Sequence, residues 1–523
     1  MRQLDQKDLG IDQGSDQNIH AARSGFATLK GVVLSLVAAA TIIPAMASAS
    51  PGMFAATGVA CAGATAPQPH FELGASPAFQ QSFESWIDSQ KSTSWTRLLA
   101  NINRADTAPG VVVASPSKCD PDYYYHWTRD AALVMDLIVR DYLSNKQDDF
   151  LAAIKTYVDF SRANQLSNAQ TGLGEPKFYV DGRPFDLPWG RPQNDGPALR
   201  ALTLIRFAKS LLSDGDAAYV NEKLYRNSLP ADTVIKADLE FVAHHWQESS
   251  YDLWEEVKGD HFYTRMVQHA ALREGAALAH RLGDKEAATF YEQQAGVIQQ
   301  SLQSFWDPNR GFIQATLNYK EGIHYKGGLD IATILAVFHS GTKTGEFSVT
   351  DDRIIATASR LEAAFASLYQ INAADRFADA GVAIGRYPED VYSGGSDSTV
   401  AHPWVLATAA LAEYHYRLAR AIRSVDQVEV NHANVDLFRA AVGPQVGSLK
   451  LEPGAVIAQD SEEMKALSQA LRKKGDGFMQ RIRFHQNPDG SLSEQFHRDT
   501  GYMRAARELT WSYASFITAS ESR

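Results

Sequence analysis

Residues 251–260, YDLWEEVKGD, place three carboxylates around one tryptophan: Asp252, Glu255 and Glu256 crowd around Trp254. A carboxyl group beside an indole ring is poorly solvated, which raises its pKa and keeps it protonated near neutral pH. A protonated carboxyl group can give its proton to the oxygen of a departing sugar. The stretch is therefore a candidate general acid, and the alternative is ordinary solvated surface charge.

Glycoside hydrolysis also needs a second carboxylate. A candidate lies late in the chain, in NPDGSLSEQFHRDTG, where Glu494 follows the turn at residues 487–490. Taken alone, this residue reads equally well as a solvated loop glutamate.

A third charged cluster lies among aromatic residues in PDYYYHWTRDAALVMD, where Arg129 and Asp130 open an apolar helix. One interpretation is that both side chains point into a pocket and bind sugar hydroxyls. The other is a capping pair, with Asp130 stabilised at the helix N-terminus.

Two further loops combine charge with aromatic rings. GRYPEDVY contains Arg386, Glu389 and Asp390, which could equally form a loop ion pair, and WGRPQNDG contains Trp189 and Arg191, which could be core packing beside a surface cation. Neither loop decides a function alone.

Metal chemistry is not indicated. His244 and His245 are adjacent, so their side chains point to different faces, and no third ligand is suitably spaced. The two cysteines, Cys61 and Cys119, lack the C-x-x-C spacing of zinc sites. We expect no metal, no organic cofactor and no Cys61–Cys119 disulfide.

The composition excludes some partners. The formal net charge of −11 argues against nucleic acid, whose phosphates need a basic surface. With 45% hydrophobic and 10% aromatic residues, the 523-residue chain can bury a large core. We expect a monomer.

The N-terminus resembles an export signal. An apolar run at residues 32–45 precedes AMASAS, which offers cleavage near Ala47 or Ala49. The run is shorter than the ~20 residues of a membrane-spanning helix. We predict a signal peptide over 1–49, a linker over 50–69, a catalytic domain over 70–523 without a stable membrane span, and secretion or periplasmic location. An uncleaved anchor is the alternative.

Helical periodicity dominates the rest of the chain. Apolar or small positions recur with helical spacing after Asp284, a predicted N-cap, and other helices are predicted from Asp195, with Pro197 in the first turn, and over residues 403–422. Long aromatic, Gly/Pro-rich loops separate the helices, and long loops are usually functional. The pattern predicts an all-α domain and is compatible with a closed ring of helix pairs.

Five ordered blocks of this sequence resemble glycoside hydrolase family 15, the glucoamylases. They are SPSKCDPDYYYHWTRDAALV, GLGEPKFYVDGRPFDLPWGRPQNDGPALRA, YDLWEEVKGDHFYTRMVQH, GRYPEDVYSGG…HPWVLATAALAE and GSLSEQFHRDTGYMRAARELTWSYASFITA. The resemblance implies an (α/α)6 barrel with long active-site loops at one end. It also implies hydrolysis of α-1,4-linked glucose from non-reducing ends of starch-like chains, with inversion to β-D-glucose.

The same resemblance assigns roles to residues. Glu255 is the implied general acid, Glu494 the implied base that activates water, and Glu256 a substrate-binding carboxylate. Asp252 is implied as a supporting carboxylate with a catalytic role. The remaining implied substrate-binding residues are Tyr123, Trp127, Arg129, Asp130, Trp189, Gly190, Arg191, Leu253 (through its backbone), Arg386, Tyr392 and Trp404.

Inversion requires room for a water molecule, so the two catalytic carboxyl groups should stand about 6.5–9.5 Å apart. A dead-end pocket lined by Arg129, Asp130 and Arg386 would admit only a chain end, because an interior sugar has its 4-hydroxyl already linked. We therefore expect an α-glucan or maltooligosaccharide as substrate.

Other functions stay open. A sister enzyme on the same barrel could prefer α-1,6 links or trehalose, and a related barrel could be an inactive carbohydrate-binding or regulatory module. A polysaccharide lyase would need a cationic groove, which the formal net charge of −11 does not favour. His402 stands where the family usually has Asn, which puts the leaving-group preference in question. We also expect no starch-binding domain after the barrel.

Overall fold

The computed structural model describes residues 77–373, 380–395, 400–443 and 449–523. All of them belong to one compact unit, Gly52–Arg523. The predicted signal peptide and linker lie outside the described residues. Within the described ranges, no helix is long and apolar enough to cross a membrane.

The described residues form a mostly helical domain. Its α-helices are α1 (Phe83–Leu99), α2 (Thr128–Asn145), α3 (Asp148–Leu166), α4 (Asp195–Asp214), α5 (Ala217–Tyr219), α6 (Val234–His245), α7 (Phe262–Arg281), α8 (Lys285–Leu302), α9 (Ala332–His339), α10 (Asp352–Ala366), α11 (Val405–Ala421), α12 (Val435–Val442), α13 (Glu462–His485) and α14 (Thr510–Ser522).

Six of these helices close into a ring. Helices α2, α4, α7, α9, α11 and α14 each pack on the next, and α14 packs back on α2. Helices α3, α6, α8, α10, α13 and α1 lie outside, each mainly against one member of the ring in that order. Inner and outer helices thus alternate along the chain, which confirms the predicted (α/α)6 barrel.

Burial patterns explain which helices lie inside. Helix α11 is buried on nearly all sides, as a helix enclosed by neighbours must be. Helix α8 buries one stripe, which includes Tyr291, Ala295 and Ile298, and Asp284 caps it by accepting a hydrogen bond from the backbone N–H of Ala287. The predicted helix and its N-cap are confirmed.

Short strands occur only in the loops of the described chain. They are β1 (His126–Trp127), β2 (Lys177–Phe178), β3 (Ser250–Tyr251), β4 (Val257–His261), β5 (Trp306–Asp307), β6 (Phe312–Ile313), β7 (Thr316–Gly322), β8 (Gln427–Glu429), β9 (Val456–Ala458), β10 (Ser493–Phe496) and β11 (Met503–Arg507). All pairings are antiparallel: β1 with β2, β5 with β6, β8 with β9, β10 with β11, and β4 between β3 and β7.

The inner helices begin at one end of the barrel, and the long loops precede them. In the described chain, none of these six helices has its N-cap side chain bonded to its first turn, whereas the outer helices α1, α8, α10 and α13 do. Their N-termini, where the helix dipole is positive, therefore border a loop-built surface rather than conventional caps.

A buried ion cluster ties three helices of the barrel together. Glu362 on α10 contacts His415 Nε2 on α11 at 2.5 Å and Lys474 Nζ on α13 at 3.1 Å. Burial would raise the pKa of Glu362, but His415 and Lys474 outweigh it and lower the pKa to about 2.

The expectation of no disulfide is wrong, since Cys119 is disulfide-bonded. The other cysteine of the sequence, Cys61, lies outside the described residues. Sequence spacing carries no information about the distance between two Cα atoms, on which a disulfide depends.

Candidate active site

A cavity of about 570 Å³, open solvent at its mouth included, lies at the N-terminal ends of the inner helices. Glu255 and Glu494, 239 positions apart in sequence, both line it. The other predicted site residues on its wall are Tyr123, Trp127, Arg129, Asp130, Trp189, Leu253, Arg386, Tyr392 and Trp404.

Glu255 sits at the tip of a tight turn with one oxygen firmly held. Its Oε1 accepts hydrogen bonds from Trp127 Nε1 at 2.8 Å, Gln193 Nε2 at 3.0 Å and Arg129 at 3.4 Å. The residue adopts φ = 66°, a left-handed conformation that is uncommon for a non-glycine residue and typical of functional sites. Holding Oε1 leaves Oε2 as the atom that can carry a proton.

Asp252 does not line the cavity but organises this turn. Its Oδ1 accepts hydrogen bonds from the backbone N–H groups of Glu256 at 2.7 Å and Val257 at 2.9 Å. Its Oδ2 lies 2.6 Å from Lys326 Nζ. Burial would raise the pKa of Asp252, but Lys326 is the largest opposing charge, and the pKa falls to about 2. The side chain is an ionised brace for the turn that carries Glu255.

Glu256 also lies behind the cavity wall. Its Oε1 accepts a hydrogen bond from Arg386 at 2.7 Å, and its Oε2 accepts one from Tyr387 at 2.7 Å and lies 3.1 Å from Lys326 Nζ. Asp390 binds Arg386 in bidentate fashion, at 2.6 and 2.7 Å. Two carboxylates thus fix the guanidinium that reaches the cavity, and substrate binding by Glu256 stays a prediction.

Glu494 lies within β10, at the bulge in its pairing with β11, and is 1% exposed. Burial raises the pKa of its carboxyl group to about 8, against the lowering effects of Arg386 and of a hydrogen bond with Tyr123. Its Oε2 has no hydrogen-bond partner among the described residues. Tyr123 in turn shares a 2.6 Å hydrogen bond with Tyr392. A buried carboxyl group with one uncommitted oxygen can accept a proton from a bound molecule.

Arg129 and Asp130 sit in the first turn of α2. Arg129 donates to Gln193 Oε1 at 2.8 Å and to Asp195 at 3.2 Å, so it is anchored on the wall. Burial raises the pKa of Asp130 to about 6, although Arg129 opposes this. The functional interpretation and the capping interpretation are compatible here, because the first turn of α2 forms the cavity wall.

The loop at residues 185–194 supports the cavity from one side. Trp189 lines it, whereas Arg191 lies behind and donates to Glu175 at 3.0 Å and to two backbone carbonyl groups. Gly190 also lies off the wall, and a Cβ there would stand 2.7 Å from the carbonyl oxygen of Glu255. Arg191 and Gly190 therefore shape the cavity without lining it.

Lys177 is a buried residue that the sequence did not indicate. Its ammonium group lies 3.6–4.4 Å from the ring centroids of four aromatic residues, two of which, Trp127 and Trp189, line the cavity. Burial lowers its pKa to about 7. In its charged form the ammonium group makes cation–π contacts with both tryptophans.

Four other wall residues were not predicted: Ala114, Trp254, Leu509 and Trp511. Trp254 stands inside the YDLWEEVKGD stretch and Trp511 inside ELTWSYA, so the sequence blocks contained the signal. No signal in the sequence indicated Lys326, because this residue lies in the loop after β7, outside the five blocks that resemble family 15. His402 is buried off the cavity and accepts a hydrogen bond from the backbone N–H of Arg498 at 3.0 Å.

No group of three His, Cys, Asp or Glu side chains in the described chain could hold a metal ion. The wall of the cavity carries carboxyl groups, guanidinium groups and aromatic rings. Two carboxyl groups in one aromatic-lined pocket are the arrangement that retaining and inverting glycoside hydrolases use.

Comparison with known proteins also indicates a glycoside hydrolase. The glycosyl hydrolases family 15 matches residues 93–521, and the chain belongs to this family. It is 38% identical to the glucoamylase of Blastobotrys adeninivorans over 86% of this chain and 73% of that protein. It is also 38% identical to glucoamylase 1 of Rhizopus oryzae, over 86% of this chain and 72% of that protein.

Solved structures show the same relationship. The glucoamylase from Saccharomycopsis fibuligera superposes with a TM-score of 0.75 at 31% identity, over 86% of this chain and 98% of that chain. The family 15 glucoamylase from Hypocrea jecorina gives 0.76 at 33% identity, over 84% and 72%. The protein is thus a glycoside hydrolase.

Proposed function

We propose that this chain is an exo-acting glucan 1,4-α-glucosidase that releases β-D-glucose from the non-reducing ends of α-1,4-glucans, with inversion. The observation that carries the proposal is that Glu255 and Glu494 line one cavity together with Arg129, Asp130 and Arg386. The resemblance to glucoamylases over most of the chain supports the substrate class.

In this proposal Glu255 is the general acid. Its Oε1 accepts hydrogen bonds, so its proton resides on Oε2 and passes to the glycosidic oxygen as the bond to the anomeric carbon breaks. Hydrogen-bond acceptance at one oxygen and donation from the other is the inventory of a protonated carboxyl group.

Glu494 is the proposed base. Its uncommitted Oε2 accepts a proton from water, and that water's oxygen bonds to the anomeric carbon on the face opposite the leaving group. The base must be ionised before this step. Burial raises the pKa of Glu494 to about 8 although Arg386 and Tyr123 oppose this, so the ionised fraction grows as pH rises toward 8, and the high pKa makes the ionised carboxylate a strong base.

The remaining charges account for end-specific cleavage. Arg129 and Arg386 are buried and Asp130 is partly buried, and charge-assisted hydrogen bonds to sugar hydroxyls are roughly twice as strong as neutral ones. Only a terminal glucose has a free 4-hydroxyl for such a bond. Asp252 is assigned to position the turn of Glu255, because it contacts that turn and not the cavity.

Proton NMR of the fresh products tests the whole proposal. With maltoheptaose, we expect the released glucose to be the β anomer first, followed by mutarotation, and a heptaose that shortens by one unit at a time. With maltose, we expect an initial excess of β-D-glucose over its equilibrium share, because the reducing-end glucose leaves as an α/β mixture. Initial release of α-D-glucose from maltoheptaose would overturn inversion, and internal fragments would overturn exo action. Faster turnover of isomaltose or trehalose would move the assignment to the sister activity.

The location of the enzyme is also a proposal. We infer export through residues 1–49 and a monomeric mature chain. Relatives differ in this respect, since one from Saccharomyces cerevisiae is an intracellular sporulation-specific glucoamylase. N-terminal sequencing of the protein from culture medium or periplasm should give a start near residue 48 or 50, and an intact N-terminus in the cytoplasm would contradict export.

A further inference from the structure

A second large cavity opens at the opposite end of the barrel. Its walls come mainly from the middle and C-terminal parts of the inner helices, and it encloses about 1550 Å³ of non-protein space, open solvent at its mouth included. Trp511 lines both this cavity and the catalytic one. Nothing in the proposed reaction uses this second space.

The charge of this cavity is opposite to that of the chain. Six basic side chains line it against three carboxylates, whereas the whole chain carries 50 basic and 61 acidic residues. The six are Arg140, Arg206, Lys209, Arg273, Lys343 and Arg417.

The three carboxylates are shared among these cations. Asp136 pairs with both Arg140 and Arg206, Glu274 pairs with both Lys209 and Arg273, and Glu413 pairs with Arg417. Lys343 forms no ion pair with any residue that the structure describes. An excess of three positive charges therefore stays uncompensated by side chains that line the cavity.

Helix dipoles explain only part of this excess. Cations are stabilised near helix C-termini, but the effect falls off within the last turn. Arg206 stands eight residues before the end of α4, and Arg273 stands eight before the end of α7. Both are two turns from the negative ends, so their presence is not accounted for by capping.

The inner part of the cavity is apolar. Leu199, Ala514 and Trp511 are buried there, and Phe338 is partly buried beside them. The mouth is wet, since the side chain of Arg273 is 63% exposed. An apolar interior with cations toward the mouth is the arrangement that an amphipathic anion requires.

We propose that this cavity binds a small organic oxyanion, whose ring or apolar body lies against Trp511 and Phe338 and whose phosphate or carboxylate group meets the cations at the mouth. Guanidinium groups match such planar or tetrahedral oxyanions through paired hydrogen bonds. The site is separate from the catalytic cavity and does not depend on the proposed reaction.

Phenyl phosphate and benzoate are suitable probes, because both carry an aromatic ring and they differ in the anionic group. Isothermal titration of the full-length protein should show one molecule bound per chain for at least one of them. Binding should persist when a Glu255→Gln enzyme is saturated with maltoheptaose. The tighter probe identifies phosphate or carboxylate as the preferred group.

Variants distinguish this cavity from other basic surfaces. The double variant Arg273→Ala/Lys343→Ala removes two exposed side chains and should weaken binding at least ~10-fold, a loss expected for charge-assisted contacts. A second arginine-lined pocket supplies the control, Arg423→Ala/Arg472→Ala, which should bind as wild type does. Absence of binding to wild type, equal affinity in all three proteins, or loss only in the control would overturn the proposal.

Discussion

Asp252 accepts a hydrogen bond from the backbone N–H of Glu256 at 2.7 Å, and this bond closes the turn on which Glu255 stands. The contact separates two roles that acidic residues in one short stretch can play. Glu255 faces the cavity, whereas Asp252 faces away from it and toward Lys326.

Replacing Asp252 should therefore misplace the acid without removing it. Asp252→Asn keeps an oxygen acceptor for the turn but loses the ion pair with Lys326, and Asp252→Ala loses both. We expect kcat/KM on maltose to fall in the order wild type, Asn, Ala, with a loss on the order of 10²-fold for Ala, as for small displacements of reacting groups. Wild-type activity in a folded Ala variant would refute the positioning role.

Removing either cavity carboxyl group should nearly abolish hydrolysis. Glu255→Gln and Glu494→Gln should each fold normally and lose at least ~10²–10⁴-fold in kcat, the usual contribution of acid–base catalysis. Glu389→Gln, an exposed glutamate in a neighbouring loop, is the matched control and should stay active.

Azide can tell the two carboxyl groups apart. In Glu494→Gln, azide can replace water as the nucleophile without needing a base. Azide should attack the face that water attacks, opposite the leaving group, and so yield β-glucosyl azide. Glu255→Gln should recover instead with substrates whose leaving group needs no proton, such as α-glucosyl fluoride. If azide instead restored Glu255→Gln and α-glucosyl fluoride restored Glu494→Gln, the two roles would have to be exchanged. The raised pKa of Glu494, taken alone, would suggest that Glu494 is the acid.

Gly190 should be needed for activity more than for stability. A Cβ at this position would stand 2.7 Å from the carbonyl oxygen of Glu255, so Gly190→Ala must displace the turn of the acid. We expect a drop in kcat with a small change in melting temperature. Gly296→Ala on α8 meets no atom within 4 Å and should leave kcat unchanged while adding about 0.5–1 kcal/mol of stability. Equal kcat values in the two variants would contradict the close-approach argument.

Glu362 should make stability depend on pH. Its pKa is about 2 in the folded state and about 4.3 when unfolded, so its contribution is full above pH 5 and is lost as pH falls toward 2. Glu362→Gln should lower the free energy of unfolding at pH 7 by on the order of 3 kcal/mol, as for breaking a buried ion pair.

Denaturant unfolding at pH 7, 5 and 3 measures this effect. The difference in free energy of unfolding between wild type and Glu362→Gln should be smaller at pH 3 than at pH 7. Glu462→Gln, which breaks an ion pair with Lys465 at an exposed surface, should change stability by less than ~1 kcal/mol at any pH. A gap that stays constant with pH would show that Glu362 contributes by packing alone.

Several helices of the fold could be predicted from local sequence. Helical spacing and the Asp284 cap predicted α8, and the charged start of an apolar helix predicted α2, because capping and periodicity are local physics. Boundaries were less certain: the N-cap of α4 is Asn194, one residue before the predicted Asp195.

Other features had no local signal. Lys326 braces Asp252 from a loop 74 positions away, and Glu256 turns out to hold Arg386 behind the wall. Neither contact follows from residue type, because an acidic side chain next to a catalytic one looks the same whether it faces substrate or core. The disulfide at Cys119 was missed for a similar reason.

Two kinds of information thus meet in this protein. Composition and periodicity predicted a helical domain, and the resemblance of the five sequence blocks predicted the (α/α)6 barrel, the family and the residues proposed to donate and accept protons. Closure of the inner helices into a ring decided which of those residues share a cavity and which lie behind its wall. It also formed the second large cavity, which carries more basic than acidic side chains and which Trp511 borders. The reason is physical: side-chain chemistry is a property of each residue, whereas burial and the direction of a side chain depend on partners supplied by distant parts of the chain.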